Sequence, residues 1–189
     1  MSTETKQTSE RAELAATCRM VGGFWLHEVD QNALQLFADD RVQAAWVELG
    51  GCLPASEPNS AATLDRLAAD YCQLLIGPKQ HLPPVQSVWT DHVFQSKAAS
   101  ATHKFYELCS DFDRPGTIDD HLGCQLHFAG FLLEQAEHDE AAEQVLAQFQ
   151  REHLCWAQPL LDRVAQKAET DFYRGSAVVT QRLIKELAS

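Results

Sequence analysis

Three side chains that could bind a metal ion follow one another in the second half of the chain. His121, Cys124 and His127 are spaced by three residues, which places them on one face of a helix. Imidazole nitrogen and thiolate sulfur are zinc ligands, so a zinc site is one interpretation. Ordinary packing with one hydrogen-bonded histidine is the other. The E-x-x-H pairs of di-metal bundles and the H-E-x-x-H motif are absent from the sequence, so we predict no metal and no cofactor.

The sequence contains no motif for an activated nucleophile or a nucleotide phosphate. It lacks G-x-S-x-G, the Walker loop and G-x-G-x-x-G, and its six cysteines form no C-x-x-C pair. The Gly22-Gly23 pair falls inside a predicted helix, where it favours close packing over phosphate binding. We therefore predict that the protein is not an enzyme. A helical enzyme that binds a metal or a nucleotide is kept as an alternative.

The charge balance favours a basic partner over nucleic acid. The chain carries 27 acidic and 15 basic side chains and a formal net charge of -12. A field of that sign repels phosphate backbones and attracts cationic peptides. The first dozen residues contain no apolar run, and no stretch reaches the roughly 18 apolar residues of a membrane span. We predict a cytoplasmic protein without stable membrane insertion.

The elements that would position these side chains are almost all helical. Apolar residues recur at intervals of three and four, as in the stripe from Leu14 to Trp25, and no segment alternates as a strand does. Asp30 and Ser60 are placed to cap helix N-termini. Gly50-Gly51 is placed to end a helix in the left-handed conformation. The pattern predicts an all-α fold, a single helical-bundle domain of about eight to ten helices.

Two breaks interrupt the helical pattern. The segment CLPASEPNS, residues 52–60, is predicted to be a loop by its prolines and small polar residues. Residues 113–117 form the clearest break, and we predict a hinge there between an N-terminal lobe of about 9–112 and a C-terminal lobe of about 118–189. Such a connector permits a domain-swapped homodimer. Thr117 and Asp120 have the spacing of a capping box for the next helix.

Two segments are unusual for a plain helical bundle. In residues 71–89 an amphipathic helix ends at Gly-Pro and runs into Pro83-Pro84, whose backbone is held extended and rigid. A stiff, partly apolar loop of this kind suits a peptide-binding groove. In residues 118–132 two aspartates and a histidine crowd a predicted helix start, where the helix dipole stabilises the acids. A proline-stiffened loop and a well-capped helix are the alternative interpretation.

These segments resemble the family of TorD/DmsD redox enzyme maturation chaperones. DYCQLLIGPKQHLPPVQSVW at 70–89 is similar to the family signature of an acid-aromatic pair, Gly-Pro, Pro-Pro and a Ser-Val-aromatic ending. IDDHLGCQLHFAGFL at 118–132 resembles a second family block. LLDRVAQKAETDFYRGSA at 160–177 resembles the third. The three blocks in order span most of the chain.

The resemblance implies an all-helical chaperone, monomeric or domain-swapped, with a defined client. It would bind the twin-arginine signal peptide and the apo form of a molybdoenzyme catalytic subunit of the DMSO/TMAO reductase kind. Binding would last until the molybdopterin cofactor is inserted, before export. A chaperone for a non-molybdenum client, such as a metal-dependent phosphatase, is the alternative within the family.

The predicted leader-binding residues combine apolar groove positions with acids for the two arginines, since carboxylates pair bidentately with guanidinium groups. They are Tyr71, Leu75, Gly77, Pro78, Pro83, Pro84, Ser87, Val88, Trp89, Asp119, Asp120 and His121. The chain departs from DmsD-like members at Val85-Gln86, where they carry Trp-Gly, and at Lys79, where glycine is usual. A lost tryptophan contact would alter which leader is preferred.

Overall fold

The computed structural model describes residues 3–53 and 60–188, with side chains from residue 10 onward. Across these residues the chain is helical with no strand, and its one isolated bridge joins Val85 to His121. The predicted all-α class is confirmed. The loop predicted for residues 52–60 lies mostly outside the described residues. No described helix is both long enough and apolar enough to cross a bilayer.

Ten α-helices are present in the described part of the chain, joined by short connections. They are α1 (Thr3–Leu26), α2 (Gln31–Gln35), α3 (Asp40–Glu48), α4 (Ala61–Tyr71), α5 (Gln86–Thr90), α6 (Lys97–Glu107), α7 (Leu122–Gln135), α8 (Glu140–His153), α9 (Gln158–Lys167) and α10 (Asp171–Glu186). Short 3-10 turns follow α2 and α8, and a π-helical turn, Cys72–Ile76, extends α4.

Most helix ends fall where the sequence predicts them. The Asp30 side chain accepts a hydrogen bond from the backbone N–H of Ala33, and Ser60 accepts one from Thr63, so both are N-caps. Gly50 closes α3 with φ +84°. The Thr117/Asp120 capping box is wrong. A box with Thr117 as N-cap requires a helix that begins at residue 118, whereas α7 begins at Leu122 with His121 as its N-cap.

The chain forms two compact units, each built from separate segments. The first contains Met1–Leu26, Val85–Ala157 and Leu183–Ser189; the second contains His27–Pro84 and Gln158–Arg182. Residues 113–117 lie inside the first unit. Both units therefore combine segments from the N-terminal and C-terminal halves of the sequence, whereas the predicted lobes follow chain order. The hinge and the swapped dimer stay predictions.

The first unit is organised around the pair α1 and α7. The two helices approach closely at Gly22, where an added Cβ would lie 2.6 Å from His127 Cδ2 and 2.8 Å from the Gly123 carbonyl oxygen. An aromatic cluster fills the space toward α6 and α8, and the rings of Phe128 and Phe149 lie 4.8 Å apart. The Gly22 contact confirms close packing at this glycine.

The second unit has its own aromatic core. The rings of Trp46 and Phe172 stack at 5.6 Å, and Phe37 meets both edge-on. Trp46 Nε1 donates to the carbonyl oxygen of Cys52 at 3.1 Å, which satisfies the buried indole. This core fixes α3 against the start of α10.

Candidate peptide-binding site

The first family block changes helix type at its centre. After α4, the chain widens into the π-helical turn Cys72–Ile76, closed by the Gly77 N–H donating to the Cys72 carbonyl at 2.6 Å. Single π turns inside α-helices are frequent at functional sites. This turn keeps Leu75 buried but leaves Ile76 63% exposed. The block therefore presents one large apolar side chain to solvent.

Two hydrogen bonds hold the loop that follows the π turn. The Leu82 N–H donates to the Leu74 carbonyl at 2.6 Å, and Lys167 Nζ donates to the Gln80 carbonyl at 3.2 Å. Gln80 has φ +59°, an uncommon conformation for a residue other than glycine. These contacts fix the conformation of the loop.

Six of the predicted leader-binding residues belong to this second unit. Pro78 is exposed and Pro83 is half-buried. The other four are buried: Tyr71, Leu75, Gly77 and Pro84. Of these six predicted residues, Pro78 and Pro83 are therefore the accessible ones, and the unpredicted Ile76 is exposed near them.

Tyr71 is a core residue of the second unit. Its ring lies 6.0 Å from that of Tyr173, and burial raises the pKa of its hydroxyl to about 12, with a smaller contribution from Glu28. Tyr71, the aromatic residue of the signature's acid-aromatic pair, thus helps to hold the fold of the second unit together.

The acid of that pair, Asp70, joins the first block to the third. Its buried carboxylate accepts hydrogen bonds from the backbone N–H groups of Glu169 and Thr170, at 3.1 and 2.8 Å, and from Thr170 Oγ1 at 2.5 Å. These donors precede α10, so Asp70 caps that helix from a distant part of the chain. Asp70 belongs to the family signature, but nothing in the sequence predicts that it caps α10.

A second buried carboxylate, Asp120, joins the end of the first block to the second block. Asp120 is 0% exposed, and its Oδ2 accepts from the Ser87 N–H at 2.7 Å. Its carbonyl oxygen accepts from the Gln86 N–H at 2.9 Å. Asp120 and Ser87 were predicted to contact the leader. In this structure they contact each other, and Asp120 could reach a ligand only by leaving Ser87.

Asp119 is the accessible acid of the pair. Its side chain is 22% exposed and forms an ion pair with Arg114 Nη1 and a 3.4 Å contact with His103 Nδ1. The Tyr106 hydroxyl donates to the Asp119 carbonyl at 2.7 Å, which fixes the backbone beneath the carboxylate. The predicted acidic contact for a client arginine is therefore available at Asp119, with Arg114 and His103 already beside it.

The remaining predicted residues of the first unit are half-buried. Val88 and Trp89 lie on α5 with part of each side chain accessible. His121 Nδ1 accepts from the Gly123 N–H at 3.1 Å, so the neutral ring carries its proton on Nε2. His121 is thus the N-cap of α7.

An exposed apolar pair, Val93 and Phe94, follows α5 and was not among the predicted site residues. Val93 is 61% and Phe94 53% exposed. Flanking them, His92 and Gln95 have φ values of +57° and +56°. The Gln95 N–H donates to Ser87 Oγ at 3.2 Å. Strained non-glycine turns persist where surrounding contacts hold them, often at functional sites.

The Val85-Gln86 departure lies in the core of the first unit. Gln86 Oε1 accepts from Gln125 Nε2 at 2.7 Å and faces His153 Nδ1 at 3.0 Å, while its Nε2 donates to the Glu152 carbonyl at 2.9 Å. Since a carbonyl oxygen only accepts, His153 carries its proton on Nδ1. Burial lowers the pKa of His153. Gln86 is thus the centre of a buried hydrogen-bond network in the first unit.

No metal-ligand cluster is found in the part of the chain that the structure describes. His121, Cys124 and His127 do not form a group of three ligands there. Cys124 is buried, and burial raises the pKa of its thiol to about 11, which disfavours the thiolate that a metal needs.

The geometry defines an all-helical protein, in its described residues, with apolar side chains held at the surface of each unit and a partly exposed carboxylate at Asp119. A family model described as nitrate reductase delta subunit matches residues 37–162, more than half of the chain. The chain belongs to this family, and the predicted membership of the TorD/DmsD chaperones is confirmed.

Two relatives illustrate the similarity. The chaperone protein YcdY of Escherichia coli K12 is 25% identical over 180 residues, which covers 93% of this chain and 94% of the relative. The probable Tat proofreading chaperone DmsD of Haemophilus influenzae is 29% identical over 129 residues, covering 64% of this chain and 59% of the relative.

Proposed function

We propose that the protein is a cytoplasmic chaperone, not an enzyme, that binds the twin-arginine leader and the apo form of a molybdopterin oxidoreductase. It would hold this client during cofactor insertion, before export. Family membership carries the proposal, and a relative named as a Tat proofreading chaperone supports the leader as ligand. The net charge of -12 favours a leader that carries two arginines.

The surface chemistry of each unit fits part of such a leader. The second unit presents Ile76, and the first presents Val93 and Phe94, to the apolar stretch of a peptide. Burying a side chain of this size stabilises a complex by roughly 1.5–3 kcal/mol. Asp119 in the first unit offers a carboxylate to a guanidinium group.

Calorimetric titration with the leader peptides of the host's molybdoenzymes tests the proposal. Each leader is paired with a variant whose apolar stretch is made polar and a variant with Lys-Lys in place of Arg-Arg. We expect micromolar or tighter binding to one leader, strong weakening by the polar variant and moderate weakening by Lys-Lys, because lysine cannot pair bidentately. A folded protein that binds none of the leaders contradicts the proposal.

A non-molybdenum client, such as a metal-dependent phosphatase, is a second candidate within the family. The observation that favours it is the coverage of the relatives. The relative that is matched over 94% of its own length is named only as a chaperone. The relative named for the Tat system is matched over 59% of its own length. Binding of a client that has no leader would distinguish this candidate from the first.

A further inference from the structure

The accessible acid of the first unit is already occupied by a guanidinium group of the chain itself. Arg114 pairs with Asp119 across the short Pro115-Gly116 turn, and both side chains are partly exposed, at 32% and 22%. An arginine supplied by a peptide would need the same carboxylate oxygens. Arg114 contacts Oδ1 and His103 faces Oδ2, so a peptide arginine that pairs bidentately with both oxygens competes with the Arg114–Asp119 pair.

The surroundings allow Arg114 to leave while Asp119 stays in place. Asp119 is fixed through its backbone by Tyr106 and remains next to His103. Close packing at Gly116, where an added Cβ would lie 2.8 Å from Cys124 Sγ, anchors the turn between the two partners. Rotation of the Arg114 side chain into solvent frees Oδ1, while Oδ2 stays 3.4 Å from His103 Nδ1.

We propose that Arg114 is an internal competitor that occupies Asp119 until an arginine of the client leader displaces it. This inference rests on the proposed function, because it assigns Asp119 to a client arginine. One guanidinium–carboxylate pair replaces another, so the exchange itself adds little affinity. The apolar contacts then decide which peptide binds, and an arginine-containing peptide without an apolar stretch is rejected.

The test is calorimetric titration with a synthetic peptide that has two adjacent arginines followed by an apolar stretch. Arg114→Gln removes the competitor, and we expect binding about two- to fivefold tighter than wild type, the range for a partly exposed ion pair. Asp119→Asn removes the client pair and the Arg114 pair together, so its affinity is expected to lie close to that of wild type and about two- to fivefold below that of Arg114→Gln. Combining both changes should give the affinity of Asp119→Asn alone.

The matched control for net charge is Lys104→Gln. Lys104 is exposed on α6 of the same unit and is not a partner of Asp119, so its removal is expected to tighten binding less than Arg114→Gln does. Arg114→Lys keeps the charge but loses the planar fork, and is expected to give an intermediate affinity. Urea unfolding of each variant establishes that it is folded.

The outcomes separate the two proposals. If the wild type binds the peptide and neither Arg114→Gln nor Arg114→Lys binds it more tightly, the inference is overturned and the proposed function stands. Weaker binding by these variants, as expected if the pair is purely structural, has the same consequence. A gain that persists in the Asp119→Asn background also overturns it, since the gain then comes from net charge. Failure of wild type and Arg114→Gln alike to bind any leader overturns both.

Discussion

Replacing Asp70 by alanine is predicted to destabilise the protein by about 3–5 kcal/mol. The carboxylate is 2% exposed and accepts three hydrogen bonds, two from backbone N–H groups before α10 and one from Thr170 Oγ1. Hydrogen bonds to a charged group contribute roughly 1.5–3 kcal/mol each and are not additive, and each buried donor left without a partner costs about 1–3 kcal/mol. Loss of a helix cap alone costs about 0.5–2 kcal/mol.

The matched control is Asp65→Ala, on the exposed face of the same helix, which is expected to change the free energy of unfolding by no more than about 0.5 kcal/mol. Urea unfolding followed by tryptophan fluorescence measures both, because Trp46 lies in the core of the same unit. Folded Asp70→Ala should bind the leader as wild type does. A cost below about 1 kcal/mol, or lost leader binding at unchanged stability, would refute the structural role.

Three further predictions concern other parts of the molecule. Burial lowers the folded pKa of His153 below its ordinary 6.5, so the contribution of His153 to stability is complete above pH 6.5. This contribution is lost as the pH falls toward the folded pKa, at up to about 1.4 kcal/mol per pH unit. The free energy of unfolding should therefore fall more steeply with acid for wild type than for His153→Asn. Gly22→Ala should destabilise by about 1–3 kcal/mol, since its Cβ meets a backbone oxygen at 2.8 Å, whereas Gly23→Ala, with nothing within 4 Å, should stabilise by up to about 1 kcal/mol in thermal unfolding. Phe94→Ser should weaken leader binding by about 1–2 kcal/mol in calorimetry, whereas equally exposed Leu36→Ser should leave it unchanged; equal effects would argue against a specific surface.

Local signals in the sequence predicted the helical framework well. Asp30 and Ser60 act through backbone donors three residues away, so their role follows from short-range chemistry. Gly50 needs only its own backbone freedom. These features do not depend on tertiary contacts, which is why they could be predicted.

The positions of the acids could not be predicted in the same way. Asp120 was predicted to complete a capping box, but its carboxylate accepts a hydrogen bond from the Ser87 N–H, 33 residues earlier in the chain. Asp70 likewise caps a helix 100 residues later. Such partners are chosen by packing of distant segments, which a single sequence does not display.

This difference changes how the family blocks are interpreted. Their most recognisable residues, including Asp70, Tyr71 and Asp120, are buried and hold segments of each unit together. The side chains that present chemistry to solvent, such as Ile76 and Phe94, lie beside them and carry no motif. Recognition of the family thus came largely from residues that maintain the fold, whereas the structure added Ile76, Val93 and Phe94 to the candidate contacts predicted from the sequence.

The identity of the bound client tests the central claim most directly. Affinity-tagged protein, expressed at native level in its host, is isolated with its partner, and the partner is identified by mass spectrometry and assayed for molybdenum. We predict a molybdoenzyme catalytic subunit with its twin-arginine leader intact and without cofactor, and loss of this partner when the leader is deleted. Stoichiometric recovery of a partner that has no leader would contradict the account and favour the non-molybdenum client.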